Sequence, residues 1–336
     1  MFRRLRPMSF RKSQVAVIVV NYGTAELALD AVGSVISHDH AGYVVEIHLV
    51  DNASPGDDAA VLATAIAERG WKDRVRFFPQ TENHGFGRGN NLVLRTLAAR
   101  RRPPDKVFLL NPDARLDNEA IAILARFLDA NPEVGAAGPR ISKPGNQPVS
   151  AAFRFPSLAS EFDRSLGFGP VSRLLKNASV AFPPEQPAGQ VDWVSGAAVM
   201  FRFEAIRGMD FFDPAYFLYY EELDLMWRLK RAGWTCWHLP EARIVHAEGT
   251  ATGVRSHDIE RSRRPTYWYD SRRIFSRKVW GRARGSLVAG AVMFGAAAHL
   301  VISALRRRTP GLPLHFLSDY WEGVFRPLLT GRDPAR

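Results

Sequence analysis

Val107-Phe-Leu-Leu-Asn-Pro-Asp113 joins four apolar residues to a proline turn. The apolar residues predict a short buried strand. Pro112 has no backbone N–H and a fixed φ, so the strand ends there and Asp113 follows at its carboxyl end. Ligands of open α/β sheets gather at that edge, where a carboxylate suits a divalent cation that holds a phosphate. The simpler interpretation is a turn in which Asp113 caps a helix starting near Asn118.

Length and composition indicate a globular protein. The 336 residues are 46% hydrophobic and 24% charged, which is enough for one large or two modest cores. The single cysteine, Cys236, excludes an internal disulfide framework and suits a reducing compartment. The net charge of +11 is concentrated in an amino-terminal arm, residues 1–13, and after Arg255. No nucleic-acid-binding signature accompanies it, so we expect an anionic membrane surface as partner and no nucleic acid.

The apolar run that follows the basic arm is too short for a signal peptide and lacks a cleavage site. We therefore expect a cytoplasmic protein, associated with the inner face of the cell membrane.

Strands and helices alternate through residues 14–117. Apolar runs predict strands at 15–20 and 107–110, mostly apolar segments predict strands at 44–50 and 75–78, and helical patterns predict helices between them. This alternation predicts βαβ units, and hence an α/β fold with a Rossmann-like, mostly parallel central sheet flanked by helices.

Polar residues follow the predicted strands, and in a parallel sheet they meet at one edge. Such convergence is expected of a nucleotide site. Asp51 can accept a hydrogen bond from the N3–H of a uracil or thymine ring, and Tyr22 can flank the base; each alone is more often a turn former or a cap. The candidates from these strand ends are Asn21, Tyr22, Asp51 and Asn111.

A glycine-rich segment from Asn83 to Asn91 precedes a predicted helix that reaches Arg100. We expect a loop whose glycines let the backbone approach a phosphate, next to the free N–H groups of the helix start. The Gly-x-Gly-x-Gly spacing after the third strand is neither the dinucleotide fingerprint nor a P-loop. The donor-binding candidates here are Asn83, Gly85, Gly87, Arg88 and Asn90.

A second acidic cluster opens a predicted amphipathic helix over residues 221–231. Glu221, Glu222 and Asp224 occupy its first turn, where the helix dipole favours carboxylates. Three carboxylates beside an aromatic-rich approach exceed what capping requires. Because apolar surroundings raise the pKa of a carboxyl group, one of them is a candidate general base.

Two further regions supply site candidates. His246 ends an apolar run ahead of Gly249 and, although a lone histidine there is usually structural, it can join Asp113 as a ligand of Mn²⁺ or Mg²⁺. Residues 144–190 are predicted to be a long, partly irregular segment. After it, Trp193 and Gly196 can line a pocket on the acceptor side, although core packing is the commoner role for tryptophan.

Residues 253–336 are predicted to be a basic helical extension. The stretch 286–305 has no charged residue and has the length of a spanning helix. Arginines on both sides remove the asymmetry that orients a spanning helix. We therefore expect this helix to lie in the membrane interface or to pack on the domain.

Taken together, these segments resemble the family 2 glycosyltransferases, which have a GT-A fold, and within them the bacterial rhamnosyltransferase-like branch. The resemblance covers roughly residues 14–250. It rests on stretches that occur in the family's order: Val17-Ile-Val-Val-Asn-Tyr22, Leu49-Val-Asp-Asn-Ala-Ser54, Asn83-His-Gly-Phe-Gly-Arg-Gly-Asn90, Leu110-Asn-Pro-Asp-Ala114, Phe212-Asp-Pro-x-Tyr-Phe-x-Tyr-Tyr-Glu-Glu-x-Asp-Leu225 and Val245-His246.

The resemblance implies roles for individual residues. Asp51 matches the base-reading aspartate, Asn111-Pro-Asp113 stands where the family has its Asp-x-Asp metal motif, and His246 matches a metal-ligating histidine. Glu222 matches the catalytic base of the family's Glu-Asp pair. The chain departs from the pattern at Asn111, which leaves Asp113 as the motif's carboxylate on the metal. It departs again at Glu221-Glu222, which leaves the base between Glu222 and Asp224, with Glu222 favoured and Glu221 on the acceptor side.

The implied reaction is inverting transfer of a sugar from a nucleotide-sugar donor to a hydroxyl of a lipid-linked or cell-surface polysaccharide precursor. The favoured donor is dTDP-L-rhamnose. A divalent metal would offset the charge on the leaving diphosphate. The alternative within the class is a UDP-sugar donor of a hexosyl or galactofuranosyl group. Residues 14–117 would form the nucleotide-sugar half of the domain, and residues 118–252 the acceptor-binding and catalytic half.

Two other classes of protein remain as alternatives. An NAD-dependent oxidoreductase shares the alternating pattern, but the first βα turn, Asn21-Tyr-Gly-Thr24, lacks its glycine fingerprint. A non-catalytic, nucleotide-binding membrane scaffold explains the basic tail and leaves the acidic cluster unexplained.

Overall fold

The computed structural model describes residues 13–247 and 262–333. The basic arm before Ser13, Gly249 and the expected boundary at 252–253 lie outside the described residues.

The strands of the described residues build one large sheet and a small two-stranded one. They are β1 Gln14–Asn21, β2 Val44–Asp51, β3 Val75–Pro79, β4 Lys106–Leu110, β5 Ala114–Leu116, β6 Val134–Lys143, β7 Gln147–Val149, β8 Ala152–Phe153, β9 Gly189–Val191, β10 Trp193–Val194, β11 Ala198–Arg202 and β12 Thr235–His246.

The large sheet has the order β3-β2-β1-β4-β11-β6-β12-β5, with β7 beside β6 and β9 beside β12. Its first four strands are parallel, and β6 and β12 are also parallel. The antiparallel strand β11 joins these two halves. The predicted α/β fold with a mostly parallel central sheet is confirmed, and the antiparallel strands β5, β7, β9 and β11 make the sheet mixed.

Helices cover both faces of the sheet and form the carboxyl-terminal region. They are α1 Ala25–Ile36, α2 Asp58–Glu68, α3 Gly85–Ala98, α4 Ala120–Ala130, α5 Leu158–Leu166, α6 Gly169–Leu174, α7 Phe203–Arg207, α8 Glu221–Arg231, α9 Thr266–Leu305, α10 Phe316–Tyr320 and α11 Arg326–Thr330.

Successive residues of the central strand β1 enter two different cores. Val15, Val17 and Val19 pack with α1, α2 and α4, whereas Ala16 and Ile18 pack with α3, α7 and α8 on the other face. A strand that is buried on both faces reads as a continuous apolar run, which is why the first strands were predictable. The carboxyl ends of β1, β2 and β4 consequently meet at one edge.

Strand β4 ends just before the proline turn, as the sequence predicts. The chain leaves β4 at Leu110, turns through Pro112 and resumes in β5, which pairs with β12. Helix α4 begins at Ala120 and its cap residue is Glu119. The capping role for Asp113 is therefore wrong, and its carboxylate stays at the edge of the sheet.

The loop expected at residues 83–91 is largely helical, so that expectation is wrong. Helix α3 begins at Gly85, which has φ +72°. A Cβ on Gly85 would overlap the carbonyl oxygen of Phe217, and a Cβ on Gly87 would lie 3.1 Å from Cβ of Phe212. These glycines are needed for close packing against the segment before α8, and this packing overrides the low helix propensity of glycine.

The segment 144–190 is partly irregular, as expected, but it also contains α5 and α6. A capping box starts α5: the Ser157 side chain accepts from the Ser160 backbone N–H, and the Ser160 hydroxyl accepts from the Ser157 N–H.

Helix α9 is broken at Gly281, which has φ +68° and ψ +179°. Its second part, residues 282–305, packs one side on the rest of the protein. A Cβ on Gly295 would overlap the Ser165 hydroxyl of α5. This helix is also the one segment of the described residues that is long and apolar enough to cross a membrane, and one third of its apolar window is buried.

Candidate active site

Asn21, at the end of β1, is an interior residue that ties two loops together. It is fully buried, and its Nδ2 donates to Oδ1 of Asp51 at 2.9 Å and to Oδ1 of Asp58 at 3.0 Å. Its Oδ1 accepts from the backbone N–H of Thr24 at 3.1 Å. Asn21 therefore fixes the position of the Asp51 carboxylate at this edge of the sheet.

Asp51 lies at the end of β2 and is 2% exposed. Its Oδ1 accepts from the Ser54 hydroxyl at 2.6 Å, and its Oδ2 accepts from the Ser54 backbone N–H at 3.3 Å. A carboxylate has about four acceptor positions, so Asp51 keeps capacity for one further donor. Tyr22 follows the neighbouring strand end and is 43% exposed. An exposed aromatic ring near a carboxylate with spare acceptor capacity suits a nucleobase.

Asn52 joins β2 to the start of α3 and was missing from the predicted site residues. Its Nδ2 donates to Oδ1 of Asn83 at 3.0 Å and to the Gly85 carbonyl at 3.2 Å. Its Oδ1 accepts from the His84 N–H at 3.1 Å. The signal for it was its place directly after Asp51 at a strand end. Together Asn52 and Asn83 hold the start of α3 against the sheet edge.

The remaining candidates on α3 face different surroundings. Nε of Arg88 donates to the His84 carbonyl at 2.8 Å, and the side chain is half-buried. Asn90 is buried and donates to the Phe86 carbonyl, while its Oδ1 has no partner among the described residues. Gly87 lies close to α8, since a Cβ there would stand 3.5 Å from Cβ of Glu221. Helix α3 thus connects the strand ends with the acidic cluster.

Asp113 and His246 come together, as predicted. Nε2 of His246 lies 3.0 Å from Oδ1 of Asp113, and the Ala247 N–H donates to the Asp113 carbonyl at 2.9 Å. The side chains are 3% and 13% exposed. This contact follows from the register that pairs Ala114 of β5 with His246 of β12. The backbone N–H of Asn111 donates to the Ala197 carbonyl at 2.8 Å, next to Gly196.

The Asp113–His246 pair fits a divalent metal as two of its ligands. One oxygen and one imidazole nitrogen form a donor set that Mn²⁺ accepts. Among residues 13–247 and 262–333, no cluster of three or more His, Cys, Asp or Glu side chains is placed to share an ion. The protein would leave the other coordination positions to water and phosphate oxygens, as is usual for Mg²⁺ at nucleotide sites.

Glu221 and Glu222 begin α8 with unpaired carboxyl oxygens. Glu221 is 3% exposed and Glu222 is half-buried, and Oε2 of each has no hydrogen-bond partner among the described residues. Burial raises the pKa of Glu222. Burial, and then the charge of Glu222, raise the pKa of Glu221 well above its usual value. A buried polar atom without a partner is costly, so these oxygens are suited to meeting a ligand.

Glu222 lies against the turn between β10 and β11. A Cβ on Gly196 would stand 3.3 Å from Cγ of Glu222 and 3.5 Å from its Cδ. Gly196 is followed by Ala197, the residue that accepts from Asn111, so Glu222 is close to the exit of β4 that carries Asp113. The acidic cluster and the metal pair therefore border the same part of the sheet edge.

Asp224 differs from its two neighbours. It is fully buried, and its Oδ1 accepts from the Tyr216 hydroxyl at 3.2 Å and from Nζ of Lys278 at 2.6 Å. Its Oδ2 accepts from Nε of Arg228 at 2.8 Å. With both oxygens engaged, Asp224 ties α8 to α9.

Trp193 is half-buried and packs against its neighbours. Its ring stacks on Phe153 with 4.1 Å between the centroids, and its Nε1 donates to the Arg154 carbonyl at 2.9 Å. These contacts hold β10 on β8, and β10 leads into the turn that contains Gly196. Trp193 therefore supports the strand that leads into this turn.

Comparisons with known proteins identify the family of this chain. A family model described as glycosyl transferase family 2 matches residues 16–169, and one described as glycosyl transferase family group 2 matches residues 106–325. An N-acetylglucosaminyl-diphospho-decaprenol L-rhamnosyltransferase of Mycobacterium tuberculosis is 30% identical over 190 residues, which are 53% of this chain. The match spans 61% of that relative's length. Rhamnosyltransferase WbbL of Escherichia coli is 22% identical over 63% of this chain and 81% of its own.

A solved structure extends the likeness to the whole fold. A mannosyltransferase from Pyrobaculum calidifontis in complex with GDP-Man and Mn²⁺ superposes with a TM-score of 0.55 at 17% identity, over 96% of this chain and 89% of that chain. Because the second family model covers more than half of the chain, and the motifs and relatives agree with it, the protein belongs to glycosyltransferase family 2, is rhamnosyltransferase-like and has the GT-A fold.

Proposed function

We propose that this protein transfers L-rhamnose from dTDP-L-rhamnose to a hydroxyl group of a lipid-linked saccharide precursor, with inversion at the anomeric carbon. The observation that carries the proposal is Glu222. Its side chain lies beside Gly196, near the strand exit with the Asp113–His246 pair, and its Oε2 has no hydrogen-bond partner among the described residues. The rhamnosyltransferase names of the two relatives support the choice of sugar. The diphospho-decaprenol acceptor of the mycobacterial relative supports a lipid-linked acceptor.

Glu222 is the general base of the proposed reaction. Its carboxylate takes the proton of the acceptor hydroxyl, and the oxygen bonds to the anomeric carbon on the face opposite the nucleotide. The bond from that carbon to the diphosphate oxygen breaks, and dTDP leaves with the electron pair. A raised pKa suits this role, because it makes the carboxylate a stronger base. Asp224, whose oxygens are both engaged, positions α8 instead.

The other residues bind and orient the donor. Asp51 accepts from the N3–H of thymine, and Tyr22 flanks the ring. Asn52 and Asn83 hold the start of α3 beside the nucleotide. Asp113 and His246 would hold a divalent metal, which, when bound, offsets the charge on the leaving diphosphate. We place the protein in the cytoplasm, at the inner face of the cell membrane.

The test is a transfer assay with the purified 336-residue chain, Mn²⁺ and N-acetylglucosaminyl-diphospho-decaprenol in detergent. We expect dTDP release and a rhamnosylated glycolipid from dTDP-L-rhamnose. UDP-glucose and UDP-galactofuranose serve as parallel donors. Transfer from a UDP-sugar alone would overturn the donor assignment, and nucleotide binding without turnover of any donor would favour a scaffold.

A further inference from the structure

An open apolar groove lies between the helices on the side formed by α5, α6, α11 and the second part of α9. Its volume is about 1070 Å³. Its walls are formed mainly by apolar side chains, among them Leu158, Phe162, Leu174, Leu287, Phe294 and Leu329. The groove is separate from the residues of the proposed active site.

The groove continues into an exposed apolar stripe along α9. Leu287, Phe294 and Val301 are seven residues apart, so they lie on one helix face, and they are 62%, 69% and 59% exposed. Across the groove, Leu174 of α6 is 82% exposed. Of the eleven large hydrophobic side chains exposed in the described residues, nine lie in α5, α6 or beyond residue 262. A concentration of this kind marks an interaction surface.

Positive charges border this surface. Arg284 precedes the stripe, Arg306-Arg-Arg308 follows it, and Arg173 and Lys176 lie beside Leu174; all are exposed. None of them pairs with a carboxylate of the described residues. Residues 262–333 hold 13 Lys and Arg against 4 Asp and Glu. The charge around the apolar surface therefore complements an anionic partner, and it disfavours self-association of two equally basic faces.

Contacts of the same helix indicate that it lies along the surface of the protein. A Cβ on Gly285 would stand 3.6 Å from the Leu328 side chain of α11. Together with the Gly295–Ser165 contact, this fixes one side of the helix on α11 and α5. The other side bears the apolar stripe, with arginines at both ends. That pattern is typical of a helix that lies in the plane of a membrane interface.

We propose that the groove, the stripe on α9 and the basic rim form the face by which this protein docks on an anionic lipid bilayer. Acyl chains meet Leu174, Leu287 and Phe294, while lipid headgroups meet the arginines. The inference rests on the proposed function in one respect, since a lipid-linked acceptor gives membrane binding its purpose. Vesicle binding is measured without donor or acceptor, so either conclusion can fail alone.

The experiment is flotation of the 336-residue chain with vesicles of phosphatidylcholine, with and without 30 mol% phosphatidylglycerol. We expect binding to the anionic vesicles and little to the neutral ones. The variant L174S/L287S/F294S should lose anionic-vesicle binding by roughly 100-fold or more. The variant R306Q/R307Q/R308Q should lose binding on the order of 100-fold. Val44→Ser, which removes an exposed apolar residue at the start of β2, is the control and should bind as the parent does.

Two outcomes would overturn the proposal. One is unchanged vesicle binding by the triple serine variant with an unchanged unfolding temperature. The other is a parent dimer, seen by light scattering, that the serine substitutions convert to a monomer without loss of vesicle binding. The second result would make the groove an interface between copies of the chain.

Discussion

Cγ of Glu222 lies 3.3 Å from the point where a side chain on Gly196 would begin. The β10–β11 turn therefore touches the proposed base directly. Because Gly196 has no positive φ, alanine is allowed there by its backbone, and only the neighbouring side chain must move.

Gly196→Ala should displace Glu222 by a few tenths of an ångström. We expect kcat to fall roughly tenfold, because small misplacements of a catalytic group are costly, with nucleotide affinity and unfolding temperature little changed. Gly189→Ala is the matched control, since its Cβ would meet only the Pro187 carbonyl oxygen at 3.9 Å. Equal kcat values for the two variants would count against the contact.

Glu221→Gln should change how stability depends on pH. The pKa of Glu221 is raised in the folded protein by burial and by the charge of Glu222. Folding therefore favours the protonated form, and stability falls as pH rises from the usual glutamate pKa towards the raised one. Glutamine cannot ionise, so the variant should lose this decline and unfold roughly 2 °C or more higher at pH 8. Thermal unfolding from pH 4 to 9 checks this; parallel curves for parent and variant would contradict it.

Asp113→Ala tests the metal pair through binding alone. We expect the affinity for dTDP in Mn²⁺ to fall roughly tenfold, about 1.4 kcal/mol, and to stay unchanged in EDTA. His246→Ala should act alike, and the double variant should lose little more, because both side chains would serve one ion. Calorimetric titration gives the affinities. If Mn²⁺ strengthens dTDP binding equally in parent and variant, the pair has no such role.

Arg272→Met tests how the carboxyl-terminal region is held to the domain. Arg272 and Glu161 are 1% exposed, and they form an ion pair between α9 and α5. Removal of Arg272 leaves the buried Glu161 carboxylate with the exposed Arg164 as its ion-pair partner among the described residues, and should cost about 3 kcal/mol of unfolding free energy, the lower end of the range for a broken buried pair. The double variant E161L/R272M should recover part of that loss. Urea unfolding measures both, and equal stability of the single variant and the parent would contradict the assigned burial.

The first half of the fold could be predicted because its strands are buried on both faces. The continuous apolar runs of β1 and β4 identify strands, and so does the mostly apolar β2, which Glu46 and His48 interrupt. The predicted helix from Glu221 to Arg231 matches α8 at both ends. The segment around Gly85 and Gly87 was mispredicted, because the groups that require these glycines lie 132 and 125 residues away in the chain: the Phe217 carbonyl for Gly85 and the Phe212 side chain for Gly87. No local pattern reports such packing.

The acidic cluster shows a second limit of sequence reasoning. Glu221, Glu222 and Asp224 share one helix turn, so periodicity alone cannot distinguish their surroundings. The distinction comes from Lys278, which reaches Asp224 from α9, and from Gly196, which leaves room beside Glu222.

Helix α5 was not predicted. Its start has a capping signal in Ser157-Leu-Ala-Ser160, but the many prolines and glycines around it favoured an irregular segment.

The most direct test of the account is sugar transfer by Glu222→Gln compared with Asp224→Asn, both with dTDP-L-rhamnose and the decaprenol-linked acceptor. Glutamine keeps the shape of Glu222 but cannot take a proton. We expect transfer by Glu222→Gln to fall on the order of 10²- to 10⁴-fold at unchanged dTDP affinity. Asp224→Asn should lower the unfolding temperature and keep most of the activity of its folded fraction. Full turnover by Glu222→Gln, with turnover lost in folded Asp224→Asn, would contradict the assignment of Glu222 as the base.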